Sequence, residues 1–217
     1  LHIYELDGEK YPSVTTILKI ISGNPELMKW ANYMGFKRKD ITKVLEESAS
    51  FGTLVHSNLQ AIVDPNAPIP IKPKDALEAY SLNKITSHFN KYFKDIHYTT
   101  IFSEKTIISP ELGYAGTLDW LVKIKDMTVL LDFKTSKMPR PSMYLQLGGY
   151  YNLLKTLGID ADIAAIIIIN EKGCALHPIS KDAIIYNGRL FNLLFNFYKE
   201  WSGEIEPDYK LIPYFFG

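Results

Sequence analysis

The 217-residue chain has a single cysteine, Cys174, and no surplus of either charge. One thiol excludes a disulfide framework and a four-cysteine metal cluster, and it suits a reducing compartment. The 24 basic and 24 acidic side chains cancel. No diffuse positive field is therefore available to gather a polyanion, and any such contact has to come from a local patch or a cleft. Long apolar runs are missing too. The longest, Ile163 to Ile169, has the length and β-branching of a buried strand rather than of a membrane span. The first residues lack the basic stretch and apolar run of a secretory leader, so none is expected here. No repeat or low-complexity segment interrupts the chain.

What is present is an ordinary globular composition, 47% apolar and 22% charged, with a high aromatic share of 13%. Aromatics in that number fill a core or stack on bases. Two regimes divide the chain. Residues 1–97 read as mainly helical after a short hairpin from Ile3 to Tyr11 around Asp7-Gly8. Ser13 is placed to cap a helix running to Ile21, and Gly23-Asn24-Pro25 to stop it. Further helices are expected over Glu26 to Tyr33, Lys37 to Glu47, Phe51 to Val63 and Asp75 to Phe93. The proline-rich stretch from Asp64 to Pro70 is the clearest loop.

Residues 98–217 read as a sheet core. Strands are expected at Thr99 to Ile108, Ala115 to Ile124, Thr128 to Lys134 and Ile163 to Asn170, with a weaker one at Ala175 to Ile179. A helix from Arg140 to Leu157 ends at Gly158, which suits a C-cap, and a last helix covers Lys181 to Trp201. The fold class is α/β (α+β), a mixed central sheet flanked by helices. A single domain is expected over residues 1–217, its helical N-terminal half forming one wall of a cleft.

The chemistry concentrates between Gly113 and Tyr150. Leu131-Asp132-Phe133-Lys134 puts an acid and a base two residues apart on a strand, where side chains alternate. Asp132 and Lys134 then share one face, while Val129, Leu131 and Phe133 share the other. A turn at Lys125-Asp126-Met127 pairs residues whose numbers sum to about 252. Asp119 and Asp132, at 251, would lie nearly opposite one another. Two carboxylates that close cannot both stay ionised unless one pKa rises or a cation neutralises them. Oxygen ligands suit Mg²⁺ or Mn²⁺, which can activate water and polarise a phosphoryl group. Taken alone, the Asp-x-Lys pair could equally be a solvated pair on an amphipathic sheet.

Five weaker features belong with it. His56 follows Gly52 by one helical turn on the same face; it is either a core histidine or an imidazole ligand that would favour Mn²⁺. Gln146 and Tyr150 share a helix face at i, i+4, to bind phosphate oxygens or fix the lysine, although Tyr150 also continues an apolar stripe with Met143, Leu147 and Leu154. Glu104 is a further acid at the cleft or a solvated strand residue. Lys137 and Arg140 directly follow the Asp-x-Lys strand and could hold a nucleic-acid backbone, while Tyr144, Tyr151 and Trp120 are stacking groups or core.

In order, Pro12-Ser13-Val14-Thr15-Thr16-Ile17-Leu18, Gly52 to His56, Gly116 to Asp119, Asp132 to Ser136 with Pro139 and Pro141, and Gln146 to Tyr150 span nearly the whole chain. This series resembles the PD-(D/E)XK nuclease superfamily in its RecB-like exonuclease branch, and within it the phage and mitochondrial genome maintenance exonucleases. The resemblance implies a restriction-endonuclease-like core with Asp119, Asp132 and His56 as metal ligands, joined by the Phe133 carbonyl. It implies Lys134 as the catalytic lysine and the Gln146/Tyr150 helix as substrate support. It further implies Mg²⁺- or Mn²⁺-dependent hydrolysis of single-stranded or end-bearing duplex DNA, in phage-type recombination, replication or repair. Cytoplasm, or an organelle, is the implied location, with a homo-oligomer and a single-strand annealing or replication protein as candidate partners. Leu118 stands where the superfamily has its eponymous proline, and Asp132 where many members have Glu. The lone cysteine excludes the iron–sulfur branch. An end- or structure-selective endonuclease on the same fold and a catalytically silent DNA-binding module are the alternatives.

Overall fold

The computed structural model describes residues 2–21, 33, 36–38 and 40–202. The Gly23-Asn24-Pro25 stop and, apart from Tyr33, the helix expected over Glu26 to Tyr33 lie outside these residues.

A two-residue turn at Asp7-Gly8 joins β1 (Ile3–Leu6) to β2 (Glu9–Pro12) as an antiparallel hairpin. Both turn residues have positive φ, 53° and 83°, the combination that such a turn requires. The Ser13 hydroxyl then accepts the Thr16 N–H at 2.9 Å and opens α1 (Val14–Leu18). The helix tightens into a 3₁₀ turn over Lys19–Ile21. Asp40 caps α2 (Ile41–Val63), one continuous helix where two were expected. The segment Ser48-Ala49-Ser50 contains neither Gly nor Pro, so nothing stops the helix there. Asp75 caps α3 (Ala76–Phe93).

The main sheet has the order β3 (Thr99–Ser109), β4 (Tyr114–Ile124), β5 (Met127–Lys134), β6 (Ile163–Asn170), β7 (Gly173–Ile179). Neighbours are antiparallel except β5 and β6, which run parallel. The crossover between those two carries α4 (Pro141–Thr156), and α5 (Lys181–Ser202) ends the described chain. Gly158 takes the left-handed position after α4, at φ 72°, as expected of a C-cap glycine.

Helices cover both faces of the sheet. On one, Leu130, Leu121, Ile166 and Ile168 pack with α1, α4 and α5 through Ile17, Leu147, Tyr150, Leu154 and Phe191. On the other, Trp120, Val129, Leu131, Phe133 and Ile167 pack with α2 and α3 through Leu59, Ile85 and Phe89. Strand alternation sorts β5 as expected: Leu130 goes to the first core, and Val129, Leu131 and Phe133 to the second.

On β4 the alternation slips. Leu118 and Leu121 enter the first core, whereas Trp120 and Val122 enter the second. The slip falls at Asp119. Across the ladder Ser103 pairs with Trp120 and Lys105 with Leu118, which puts Glu104 opposite Asp119. Glu104 has φ 45°, a left-handed backbone that costs a side-chain-bearing residue about 1–3 kcal/mol. An inverted pleat therefore sits where two acids face each other.

Candidate metal centre

Three elements bring acids and an imidazole together. The ladder of β4 with β5 begins at Ile124 with Met127 and reaches Trp120 with Leu131, a register one residue tighter than a turn at Lys125-Asp126-Met127 implied. One step further along lie Asp119 and Asp132. Asp119 Oδ2 accepts the Phe133 N–H at 2.7 Å, which ties the middle of β4 to β5 through a side chain. On the far side of the Phe133 ring stands His56 of α2, edge-on at 5.8 Å between centroids. Phe133 is itself held between Trp120 and Phe89, so this aromatic stack sets the height of His56 above the sheet.

His56 Nδ1 is 3.6 Å from Asp119 Oδ2 and 3.7 Å from Glu104 Oε1. One ligand atom from each of His56, Glu104 and Asp119 lies within 4.8 Å of the others, an arrangement able to hold a metal ion. His56 and Glu104 border an open cavity of about 560 Å³ that Gly52, Ser57 and Gln60 of α2 also line. Gly52, His56 and Gln60 recur every fourth residue, so one polar stripe of α2 faces the cavity. That spacing was the available signal for Gln60, which the motifs did not single out.

Asp132 is fully buried and forms an ion pair with Lys134 Nζ through Oδ2. Neither carboxylate oxygen accepts a hydrogen bond of normal geometry, and Oδ1 has no partner at all. A buried, unsatisfied carboxylate oxygen is costly unless something else occupies it. His56, Glu104 and Asp119 form a donor set that fits a hard or borderline divalent cation, while Asp132 with its orphaned oxygen is not part of the group converging within 4.8 Å.

The electrostatics follow from this crowding. Burial would pull the His56 imidazole down, but Asp119 and Glu104 more than offset it and hold its pKa up at about 10. Burial pushes Asp132 up to about 6 despite Lys134, with the charge of Asp119 adding to the rise. Asp119 lies below its ordinary value: burial opposes ionisation, but His56, Lys134 and the Phe133 N–H outweigh it. The two carboxylates are thus driven apart, as expected for close acids.

Gln146 and Tyr150 are both buried on α4, and Gln146 Nε2 donates to the Tyr150 hydroxyl at 2.8 Å. Tyr150 belongs to the core with Met143, Leu147 and Leu154, yet its hydroxyl senses the site. Burial raises its pKa well above the usual phenol value, and the charges of Asp132 and Asp119 raise it further. A Cβ at Gly116 would run into the Tyr150 ring, so the glycine of the Gly116–Asp119 motif seats this tyrosine. Lys137 and Arg140 are exposed between β5 and α4 and do not line the cavity around His56. Trp120 and Tyr151, considered as stacking groups, are buried.

No family model matches the chain, and a search of curated proteins gives no match. Among solved structures, the chain is similar to SSO0001 at 17% identity and a TM-score of 0.44, over 90% of this chain and 79% of that one. It is similar to LHK-Exo in complex with dAMP at 10% identity and a TM-score of 0.41, over 88% of each chain. Similarity to an alkaline exonuclease (LHK-Exo) from Laribacter hongkongensis covers 70% of this chain and 79% of that one, at 11% identity and a TM-score of 0.37. Among the described residues no helix is long and apolar enough to cross a membrane.

Proposed function

We propose that the protein is a divalent-metal-dependent deoxyribonuclease of the PD-(D/E)XK type that hydrolyses phosphodiester bonds from DNA ends. One observation carries this reading. His56, Glu104 and Asp119 converge within 4.8 Å, beside a buried Asp132–Lys134 pair with an orphaned carboxylate oxygen. The ordered motifs from Pro12 to Tyr150 supply the choice of DNA as substrate.

In this reading His56, Asp119 and Asp132, with Glu104 and the Phe133 carbonyl, would hold Mg²⁺ or Mn²⁺. The chemistry such a cation would supply is acidification of a water and polarisation of the phosphoryl group. Lys134, kept charged by two carboxylates, orients the attacking oxygen and stabilises charge on the phosphate. The His56–Phe133 contact fixes the imidazole, so that the donor set is organised before substrate arrives. Gln146 and Tyr150 brace the same face from α4, and Lys137 and Arg140 hold the DNA backbone outside the cleft. One domain over residues 1–217 serves the one site.

The test is cleavage of end-labelled single- and double-stranded DNA and of closed circular DNA with Mg²⁺, Mn²⁺ or EDTA, beside Asp132→Asn. Metal-dependent loss of nucleotides from an end, absent in the variant and without nicking of the circle, is the expected result. Nicking of the circle would make the enzyme an endonuclease. A folded protein inert with every metal would overturn the reading.

A further inference from the structure

A second cavity, of about 520 Å³, opens on the α2–α3 side of the sheet. Its basic rim comes from three separate elements: Lys84 on α3, Lys137 in the segment after β5, and Lys172 in the β6–β7 turn. All three are exposed, and none of their ammonium groups enters an ion pair among the described residues. The one acid on the rim, Glu171, is engaged: its Oε1 accepts the Ser81 hydroxyl at 2.7 Å. The floor is apolar, from half-buried Phe51 and buried Ile85.

This cavity adjoins the candidate metal centre. Thr135, on its wall, directly follows Lys134, and Thr135 Oγ1 is the nearest atom to the Cβ position of Gly52, at 4.0 Å. Gly52 in turn lines the cavity that holds His56 and Glu104. The two cavities therefore lie next to one another, with Gly52 on one and Thr135 on the other.

We propose that this second cavity is a subsite for the single-stranded DNA flanking the scissile phosphate, with Lys84, Lys137 and Lys172 binding backbone phosphates and Phe51 offering its ring to a base. The inference rests on the reading of the neighbouring site as one that cuts DNA. Three cations without an ion pair among the described residues, around an apolar floor, match the alternation of phosphate and base in an unpaired strand. A duplex is the poorer match, since its bases are stacked away from such a floor. A chain of zero net charge has no general field to draw DNA in, so a local patch of this kind is where affinity must reside.

The test is binding of a short fluorescein-labelled single-stranded oligonucleotide in EDTA, by anisotropy over a salt series. Wild type is compared with Lys84→Ala/Lys172→Ala, Lys84→Arg/Lys172→Arg, and Lys123→Ala/Lys125→Ala at the β4–β5 turn. Loss of two phosphate contacts lowers the salt slope of log K by about 1.4, at about 0.7 per single-strand phosphate contact. The expected result is that drop together with about tenfold weaker binding near 0.1 M salt, rescue by the arginine pair, and a wild-type slope for the turn pair. An unchanged slope in Lys84→Ala/Lys172→Ala, or an equal loss in the turn pair, overturns the subsite. So does absence of binding by the wild type. Metal-dependent cleavage by the wild type is scored separately, so the subsite can fail while the nuclease reading stands.

Discussion

Lys134 keeps its charge at this site because of two carboxylates. Burial works against the ammonium, but Asp132 and Asp119 reverse the balance and raise its pKa. A lysine held in that way is a fixed cation next to the place where negative charge would develop. Lys134→Ala is therefore expected to lower the DNA cleavage rate by about 10²–10³-fold, as loss of one preorganised donor commonly does. Cation affinity, measured by calorimetric titration, should stay close to wild type, because lysine is not a ligand. Unchanged turnover would remove the residue from the mechanism. Asp132 has the opposite relation to stability. Its pKa is raised to about 6 by burial, so the folded protein holds a proton there that the unfolded chain has released. Stability accordingly falls as pH climbs from about 4 to about 6, and the penalty is fully present above that window. Asp132→Asn escapes it, with Asp119 left to neutralise Lys134. In EDTA the variant should melt higher than wild type at pH 8, with the difference gone at pH 4. A variant that melts lower at pH 8 would show that the ion pair with Lys134 outweighs burial.

At the scale of elements, the α4–α5 crossing transmits packing to the site. A Cβ at Gly148 would overlap the backbone of Asn187 and Gly188, and backbone cannot swing aside as a side-chain tip can. Gly148 lies between Gln146 and Tyr150, so a shift of α4 also moves the hydroxyl beside the carboxylates. Gly148→Ala is expected to destabilise by about 1–3 kcal/mol, a fall of about 2–4 °C in Tm per kcal/mol at this chain length. Cleavage should fall with it at temperatures where the variant remains folded. A wild-type Tm would mean that the helices separate without cost. The same scale shows what could be seen in the sequence beforehand. The near-facing of Asp119 and Asp132 was legible to within one residue, since a turn was expected at Lys125-Asp126-Met127 and the two-residue turn at Lys125-Asp126 sets the register one step tighter. The unbroken α2 was not, since Ser48-Ala49-Ser50 resembled a loop by composition only. Glu104 could not be assigned between cleft and solvent, because its place depends on a left-handed backbone that inverts the pleat, and glutamate gives no local sign of that. Gln146 and Tyr150 were read as ligand-facing or core. The structure buries them as a hydrogen-bonded pair in the core, with the Tyr150 hydroxyl under the charge of Asp132 and Asp119.

For the whole molecule, the candidate donors come from parts of the chain far apart in sequence: α2 gives His56, β3 gives Glu104, β4 gives Asp119. The long separation means that the set forms only when α2 is seated on the sheet, which the Phe133, Phe89 and Trp120 rings arrange. Without a cation, the same packing leaves acids crowded around the fully buried Asp132. A cation that binds the folded chain and not the unfolded one must then stabilise the fold by linkage, by about 2.7 kcal/mol at a hundredfold excess over Kd. For a chain of this length that is a rise of about 5–10 °C in Tm. Mn²⁺ should produce it in wild type, EDTA should reverse it, and Asp119→Asn should lose most of it while keeping a folded circular dichroism spectrum. Lys134→Ala should retain the rise, which separates loss of the ligand set from loss of the lysine proposed to be catalytic. Equal Tm values for wild type in Mn²⁺ and in EDTA would mean that these residues hold no metal, and the donor set would then be a buried polar network that serves only the fold.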